Sequence, residues 1–453
     1  MQTDVAEQGT LGSSTRPRAM WVGLAVAVGL VVAAVVARPV FGWEVYAYAH
    51  PGPDDAAPLH ARWEPRVGPG TVPAVLLALL GWCYAVRAAE RLRWRHLLVV
   101  SYVAGLAWLL SLALVDGIDG VSSILAHSYE YLETARATSD FPAALREWID
   151  RIPLDSEDNW PVHVAGHPPG ALLFFVVLDR LGLGGAGVAG LVVTLVAASV
   201  PAAVLTTLRT LREEAAARRA APFLVLGPAA LWMCVSGDAV FTAVAAWGLA
   251  ALAAAATRTT WRGSAPWAVL AGVLLGSCVM MSYGLPLLGV LALAVLAAAR
   301  SWRALPVAAA AASVVVLAFA VEGYALWEAY PVLRERYWDG VASDRPTAYW
   351  IWANLAVLVL SAGPVLGAGL GQAWARRSEL GRPVLLLVGA AVASIALADL
   401  SLMSKAEVER IWLPFVPWLL VATSALPQRW RRSALGLQLV AALVLQHLVH
   451  TSW

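Results

Sequence analysis

The chain has 453 residues, of which 60% are hydrophobic and 14% charged, with a mean hydropathy of +0.69 and a net charge of +2. Soluble domains average about 45–50% apolar and about 25% charged residues, so an ordinary soluble globular protein is excluded and lipid is indicated as the solvent. The three cysteines, Cys83, Cys234 and Cys278, lie far apart in apolar runs, which is neither a disulfide framework nor a zinc pattern.

Residues 1–18 are polar, carry Arg16 and Arg18, and read as a cytoplasmic tail. The apolar run 19–37 is long enough to cross a bilayer at about 20 residues per crossing. No small-residue cleavage site follows it, so it reads as a retained first helix. Further apolar runs follow near 72–87, 97–115, 187–207, 221–236, 238–256, 267–282, 284–299, 305–321, 350–370, 384–402, 411–426 and 434–449. The expected fold is therefore all-α and polytopic, with about thirteen transmembrane helices in a single domain, 19–453. The basic connectors are Arg87–His96, Arg209–Arg219, Arg258–Arg262, Arg300–Arg303, Arg376–Arg382 and Arg429–Arg432. The positive-inside rule places all six in the cytoplasm. Loops 38–71, 116–168, 322–349 and 403–410 then face outward, and they are the loops rich in acidic, aromatic and His residues. Segment 170–182 looks helical, yet a full crossing there would invert every later connector. It is expected as a half-inserted or juxtamembrane helix, unless one basic loop lies outside. Phe141–Ile152 alternates apolar and charged residues at helical spacing and reads as a helix lying on the membrane surface.

Five groups carry residue types suited to chemistry. Asp116-Gly-Ile-Asp119-Gly ends the third run; a carboxylate beside low-dielectric protein suits a general base, while Asp-Gly is also common turn chemistry. Trp160-Pro-Val-His163-Val-Ala-Gly-His167-Pro-Pro-Gly170 presents two imidazoles, but the prolines make the segment extended and no Glu follows as a zinc-protease helix requires. Ser236-Gly-Asp238 precedes a span, where an acid caps the helix and favours its dipole. Loop 322–349 sets Arg334, Arg336 and Arg345 among aromatics; arginines on an outward face run against the positive-inside bias, and Arg is a natural partner of phosphate. Ser404-Lys405-Ala-Glu407-Val-Glu409-Arg410 opens another span. Glu407 and Arg410 share a helix face there as an ion pair, or Lys405 and Arg410 hold a lipid phosphate. Asp399 is a rare ionisable residue inside a span.

Taken together these residues resemble the GT-C superfamily of membrane glycosyltransferases, which includes protein O-mannosyltransferases, aminoarabinose transferases and arabinosyltransferases. The likeness rests on the outward acids Asp116 and Asp119 followed by Tyr129-Glu-Tyr131, on His167-Pro168-Pro169-Gly170 opening an apolar helix, and on Asp238 at a span start. It covers about residues 97–260 well and beyond that rests on loop 322–349 and on Lys405–Trp418. The chain departs from the family in placing its acidic loop after the third span rather than the first, which makes Glu44, Asp54 and Asp55 a rival location. It also separates the two Asp and carries Gly170 where Leu is commoner.

The resemblance implies an enzyme of the plasma membrane with its site facing outside. Its donor would be a sugar on a polyprenyl phosphate, its acceptor a glycan, lipid or protein, and its chemistry inverting transfer. Asp119 or Asp116 would be the base. His163, His167, Arg345, Lys405 and Arg410 would hold the donor phosphate, and Asp238, Tyr129, Tyr131 and Glu407 would line the substrate site. The resemblance leaves open whether a divalent cation, magnesium or manganese, takes part. The chain has no P-loop or Rossmann fingerprint, in keeping with a lipid-linked donor, and no nucleic acid partner is expected. A multi-pass transporter or lipid flippase is the alternative reading of so many spans.

Overall fold

The computed structural model describes residues 17–451. Of the expected tail, residues 1–16 lie outside the described residues, and Pro17 and Arg18 already belong to the first helix. Among the described residues seven helices are long and apolar enough to cross a membrane: Arg18–Phe41, Thr71–Arg91, Trp94–Asp116, Ala186–Thr210, Gly237–Thr257, Trp261–Val279 and Arg382–Leu400. Two further pairs are bent: Leu305–Val321 turns by 72° into Leu326–Asp339, and Thr347–Ala362 by 100° into Val365–Ala375. Counting each pair as one crossing gives up to nine, short of the thirteen expected from apolar runs of about 20 residues.

Two of the four missing crossings have a local cause. The run 221–236 breaks at Gly227-Pro228 into the helices Glu214–Val225 and Ala230–Met233. The run 411–426 contains Pro414 and Pro417 and resolves into Val408–Ile411, Val416–Leu420 and a 3-10 turn. Proline lacks the N–H that would continue the ladder and clashes with the preceding turn. These pieces are apolar because they are buried in protein. Segment 170–182 is the 11-residue helix Gly170–Arg180. At 1.5 Å per residue it reaches about 16 Å, half a bilayer core of about 30 Å, so it need not invert the later connectors. The segment 141–152 also differs from expectation. Phe141, Leu145, Trp148 and Ile152 are buried, and the Trp148 ring lies 4.7 Å from Trp160 and 6.2 Å from Tyr324. Its apolar face is taken up by protein.

Four of the six basic connectors meet at one end of the bundle. Arg218 donates to the carbonyls of Ala89 and Leu92 at 2.9 Å each, satisfying acceptors that the end of Thr71–Arg91 leaves open. Arg209 lies 4.6 Å over the Trp94 ring, Arg431 bonds Glu90 at 3.0 Å, and Arg376 donates to the Ala425 carbonyl. Gly23 packs backbone to backbone on Gly367, small residues letting two helices approach closely. At the opposite end Ala61–Trp63 pairs antiparallel with Val449–Thr451, a small departure from an all-helical chain that ties loop 38–71 to the end of Gln428–Leu448.

Candidate functional site

Arg410 organises a buried charge network at the end of the bundle opposite the basic connectors. Its approach is made by an unusual backbone. Leu402, Ala406 and Glu407 are left-handed, with φ of 59°, 67° and 61°. Non-glycine residues in that region cost energy and persist only where surrounding contacts hold them. Here the clamp is Asn354, whose amide donates to Asp399 Oδ1 and to the Ser404 carbonyl, both at 2.8 Å. Its oxygen accepts the Ala406 N–H at 3.3 Å. Asp399, the intramembrane acid, is thus paired.

Three side chains meet the Arg410 guanidinium, and a fourth joins through His163. Asp238 stands in the first turn of Gly237–Thr257, which Ser236 caps by accepting the Ala239 N–H at 3.3 Å. Its Oδ2 accepts from Arg410 Nη1 at 2.9 Å. Glu407 Oε2 accepts from Nη2 at 2.9 Å. His163 Nε2 lies 3.2 Å from Nη2, and His163 Nδ1 lies 2.7 Å from Glu130 Oε1. Arginine can only donate, so Nε2 accepts and the His163 ring carries a proton on Nδ1, which it donates to Glu130. Arg410 is 6% exposed and Asp238 5%, so these bonds work in a low dielectric. The opposing carboxylates hold the Arg410 proton more tightly than in water, despite burial.

Glu407 has a second cation. Arg345 Nη2 donates to its Oε1 at 3.1 Å, and His60 Nδ1 lies 4.0 Å away. Burial raises the Glu407 carboxyl, but His60, Arg345 and Arg410 outweigh it and hold it well below the usual carboxylate range. Burial also raises Glu130, and the His163 ring and Arg410 again bring it below its ordinary value. Glu409 goes the other way. It is wholly buried, accepts the His60 backbone N–H, and is pushed up to about 7 by burial.

The remaining expected residues divide clearly. His167 donates from Nδ1 to the His163 carbonyl at 2.8 Å and sits between Tyr131 and Phe241. Burial lowers it to about 4, so it is a neutral imidazole packed among aromatic rings. Tyr131 is buried and stacks on Phe175, while Tyr129 is half-buried beside His163. Gly170 fits where Leu would not: a Cβ there would collide with the Met280 carbonyl, to which the Gly170 N–H donates at 2.8 Å. Arg345 donates to the carbonyls of Tyr46, Ala47 and Lys405. Lys405 donates to those of Ala342 and Arg345 and lies 4.5 Å from the Trp338 ring. Both cations pin loops 38–71, 322–349 and 403–410 together. Arg336 likewise serves the fold, donating to the carbonyls of Ile152 and Trp160.

Asp116 and Asp119 are not part of this network. Asp116 is gripped by the Arg66 guanidinium and by Gln446 Nε2 at 2.8 Å. Asp119 is exposed at the start of Asp119–Ala126. Both line a separate polar cavity of about 250 Å³ with Glu64, Ser123, Gln446 and His450. No group of three or more His, Cys, Asp or Glu side chains is arranged to hold a metal ion among the described residues, so no step is assigned to a divalent cation. Sequence reasoning passes over His60, Glu130 and Glu409 as individual site residues. Glu130 and Glu409 lie inside motifs it marks, whereas His60 sits in a loop with no motif at all. No family model, curated protein or solved structure matches this chain.

Proposed function

We propose that this chain is a membrane glycosyltransferase of the GT-C kind. In this reading it moves a sugar from a polyprenyl-phosphate carrier to an acceptor at the outer face of the plasma membrane. The observation that carries the reading is the convergence of Glu130, His163, Asp238, Glu407 and Arg410 at the end of the bundle away from the basic connectors. Positive connectors face the cytoplasm, which puts that end outside. Pre-organised cationic donors stabilise charge developing on a leaving phosphate, and Arg410 and Arg345 are the donors held here.

Glu407 is the network carboxylate with open surface, its side chain 20% exposed, and takes the acceptor hydroxyl proton as the acceptor oxygen attacks the sugar anomeric carbon and the bond from that carbon to the carrier phosphate breaks, releasing the polyprenyl phosphate. A carrier phosphate drawing Arg345 or Arg410 towards itself relaxes the charges that hold Glu407 low and raises its proton affinity. Asp119, exposed at its own polar cavity, is the alternative base; Asp116, committed to Arg66, positions that cavity. The test is transfer from radiolabelled polyprenyl-phosphate sugars to acceptors in membranes holding the wild-type chain or Glu407→Gln. Transfer by the wild type and its loss in Glu407→Gln are expected; no transfer from any such carrier would overturn the reading.

One observation favours the second reading, transport. Two helix pairs are sharply bent, and discontinuous helices line the sites of many transporters. Carrier-dependent accumulation of substrate in sealed vesicles, with no new glycosidic bond, would select it.

A further inference from the structure

We infer that the polar cavity lined by Asp116 and Asp119 is a binding site for a small organic ammonium ion, with the size and charge of a short diamine. It stands apart from the transferase reading, which centres on Arg410. The cavity, about 250 Å³, is built by three segments in close approach. Gly70 and Gly120 press on the end of Trp94–Ala113, where a Cβ would collide with the Ser111 and Ala113 carbonyls; only glycine leaves that space. The third wall is the strand ribbon. The Glu64 N–H donates to the Leu448 carbonyl at 3.0 Å and the Arg66 N–H to that of His447 at 2.8 Å, extending the pairing of Ala61–Trp63 with Val449–Thr451. Walls fixed this way leave little for a ligand to order on binding.

The charge balance calls for a cation. Glu64, Asp116 and Asp119 line the cavity. Arg66 answers one of them, gripping Asp116 with two guanidinium nitrogens. Arg62 is not in the walls and lies 5.2 Å over the Tyr48 ring. Among the described residues neither Glu64 nor Asp119 has a Lys or Arg within ion-pair distance; Glu64 faces only His450, at 3.7 Å. A second observation is Gln446, 6% exposed and a wall of the same cavity. Its Nε2 donates to Asp116 Oδ2 at 2.8 Å, which fixes the orientation of the amide. Its Oε1 is left for the cavity and accepts no hydrogen bond among the described residues. A buried acceptor without a donor is costly. An ammonium supplies three donors and a positive charge together, whereas a hydroxyl supplies one donor and no charge. The acids are not arranged to hold a metal ion among the described residues. The space is far above the roughly 10–15 Å³ that one water needs, so a chain of several non-hydrogen atoms fits. Ala113, Ile124 and Leu231 give its methylenes an apolar floor.

The experiment is titration calorimetry of the purified full chain in maltoside detergent with 1,4-diaminobutane, with 1,4-butanediol and magnesium chloride as probes of shape alone and charge alone. Diaminobutane should bind saturably, at least about tenfold more tightly than butanediol, as charge-assisted hydrogen bonds require. Asp119→Asn and Glu64→Gln alter exposed side chains. Each should weaken binding about threefold and the two together about tenfold, the scale of exposed charge pairs. Gln446→Met removes the open acceptor and should weaken binding about fivefold; the Asp119→Asn, Glu64→Gln double variant decides the matter if Gln446→Met does not insert. Competition by phosphatidylethanolamine in the micelle, and not by phosphatidylglycerol, would identify the ammonium as a lipid headgroup; diaminobutane binding without that competition would identify it as a solute. Equal affinity for butanediol, or displacement of diaminobutane by equimolar magnesium, overturns the ammonium site. Wild-type affinity in the double variant overturns it as well. Binding is read directly, so the site stands or falls whether or not the chain transfers a sugar.

Discussion

Arg410→Gln removes the guanidinium that joins Asp238, Glu407 and His163. Asp238 is 5% exposed and bonded at 2.9 Å, so its carboxylate is left buried without a counter-charge. Removing one partner of a buried ion pair costs about 3–5 kcal/mol. That is a large share of an ordinary folding stability of about 5–15 kcal/mol. The variant should be scarce in membranes, and what is purified should melt well below wild type in detergent. Arg410→Lys should recover little, because an ammonium is a point charge and does not present the fork that reaches two carboxylates. Adding Asp238→Asn to Arg410→Gln removes both charges of the pair and should recover roughly 0.5–3 kcal/mol, the usual coupling between contacting residues. An Arg410→Gln protein that melts with wild type, with no rescue in the double variant, refutes the network as a source of stability. Normal melting with lost transfer would make Arg410 a phosphate ligand that the resting fold does not need.

Glu407→Gln should cut transfer per folded molecule by about 10²–10⁴, the range for a lost general base, and should also melt below wild type, because Arg345 and Arg410 both lose their shared carboxylate. The same loss in Asp119→Asn, with Glu407→Gln active, moves the base to the polar cavity. Glu409 binds its proton more tightly in the fold than its ordinary value of 4.5, being raised to about 7 by burial. Its contribution to stability is present below 4.5 and is lost as pH rises through about 7. Glu409→Gln should flatten that fall, seen as a higher melting temperature than wild type at pH 8; an unchanged slope removes Glu409 as its cause. His167 has the opposite sign. Burial lowers it from 6.5 to about 4, so its contribution is present above 6.5 and lost as pH falls towards 4, and His167→Phe should abolish that part of acid unfolding. Ser139 is exposed near the site end, so Ser139→Cys, in a Cys83→Ser background, should react with an impermeant maleimide on intact cells. Reaction only after permeabilisation would reverse the orientation.

Much of the architecture is legible in the amino-acid sequence. Hydropathy marks the runs that form the seven long helices, because a lipid-facing helix must be apolar along about 20 residues. The Arg clusters mark four connectors that meet at one end. The Pro-Pro corner before Gly170 marks a helix start, since proline tolerates only the first turn. The count of crossings is not legible. Apolar runs buried in protein and apolar runs in lipid have the same composition, and only chain breaks such as Gly227-Pro228 separate them.

The site shows the same division more sharply. Composition and local pattern mark His163, Asp238, Glu407 and Arg410 as candidates, because charges are costly beside lipid unless they are paired or used. Which charge meets which is decided by tertiary structure alone. His163 and Arg410 lie far apart in sequence yet within 3.2 Å in space, and Glu130 joins them through an imidazole that no spacing rule links to it. Asp116 and Asp119 resemble a catalytic pair in sequence. Arg66 and Gln446, from two distant segments, draw Asp116 into a different cavity. Helix formation and membrane insertion are set by neighbouring residues and are readable along the chain. Pairing of buried charges is set by which helix ends packing brings together, and nothing local encodes that.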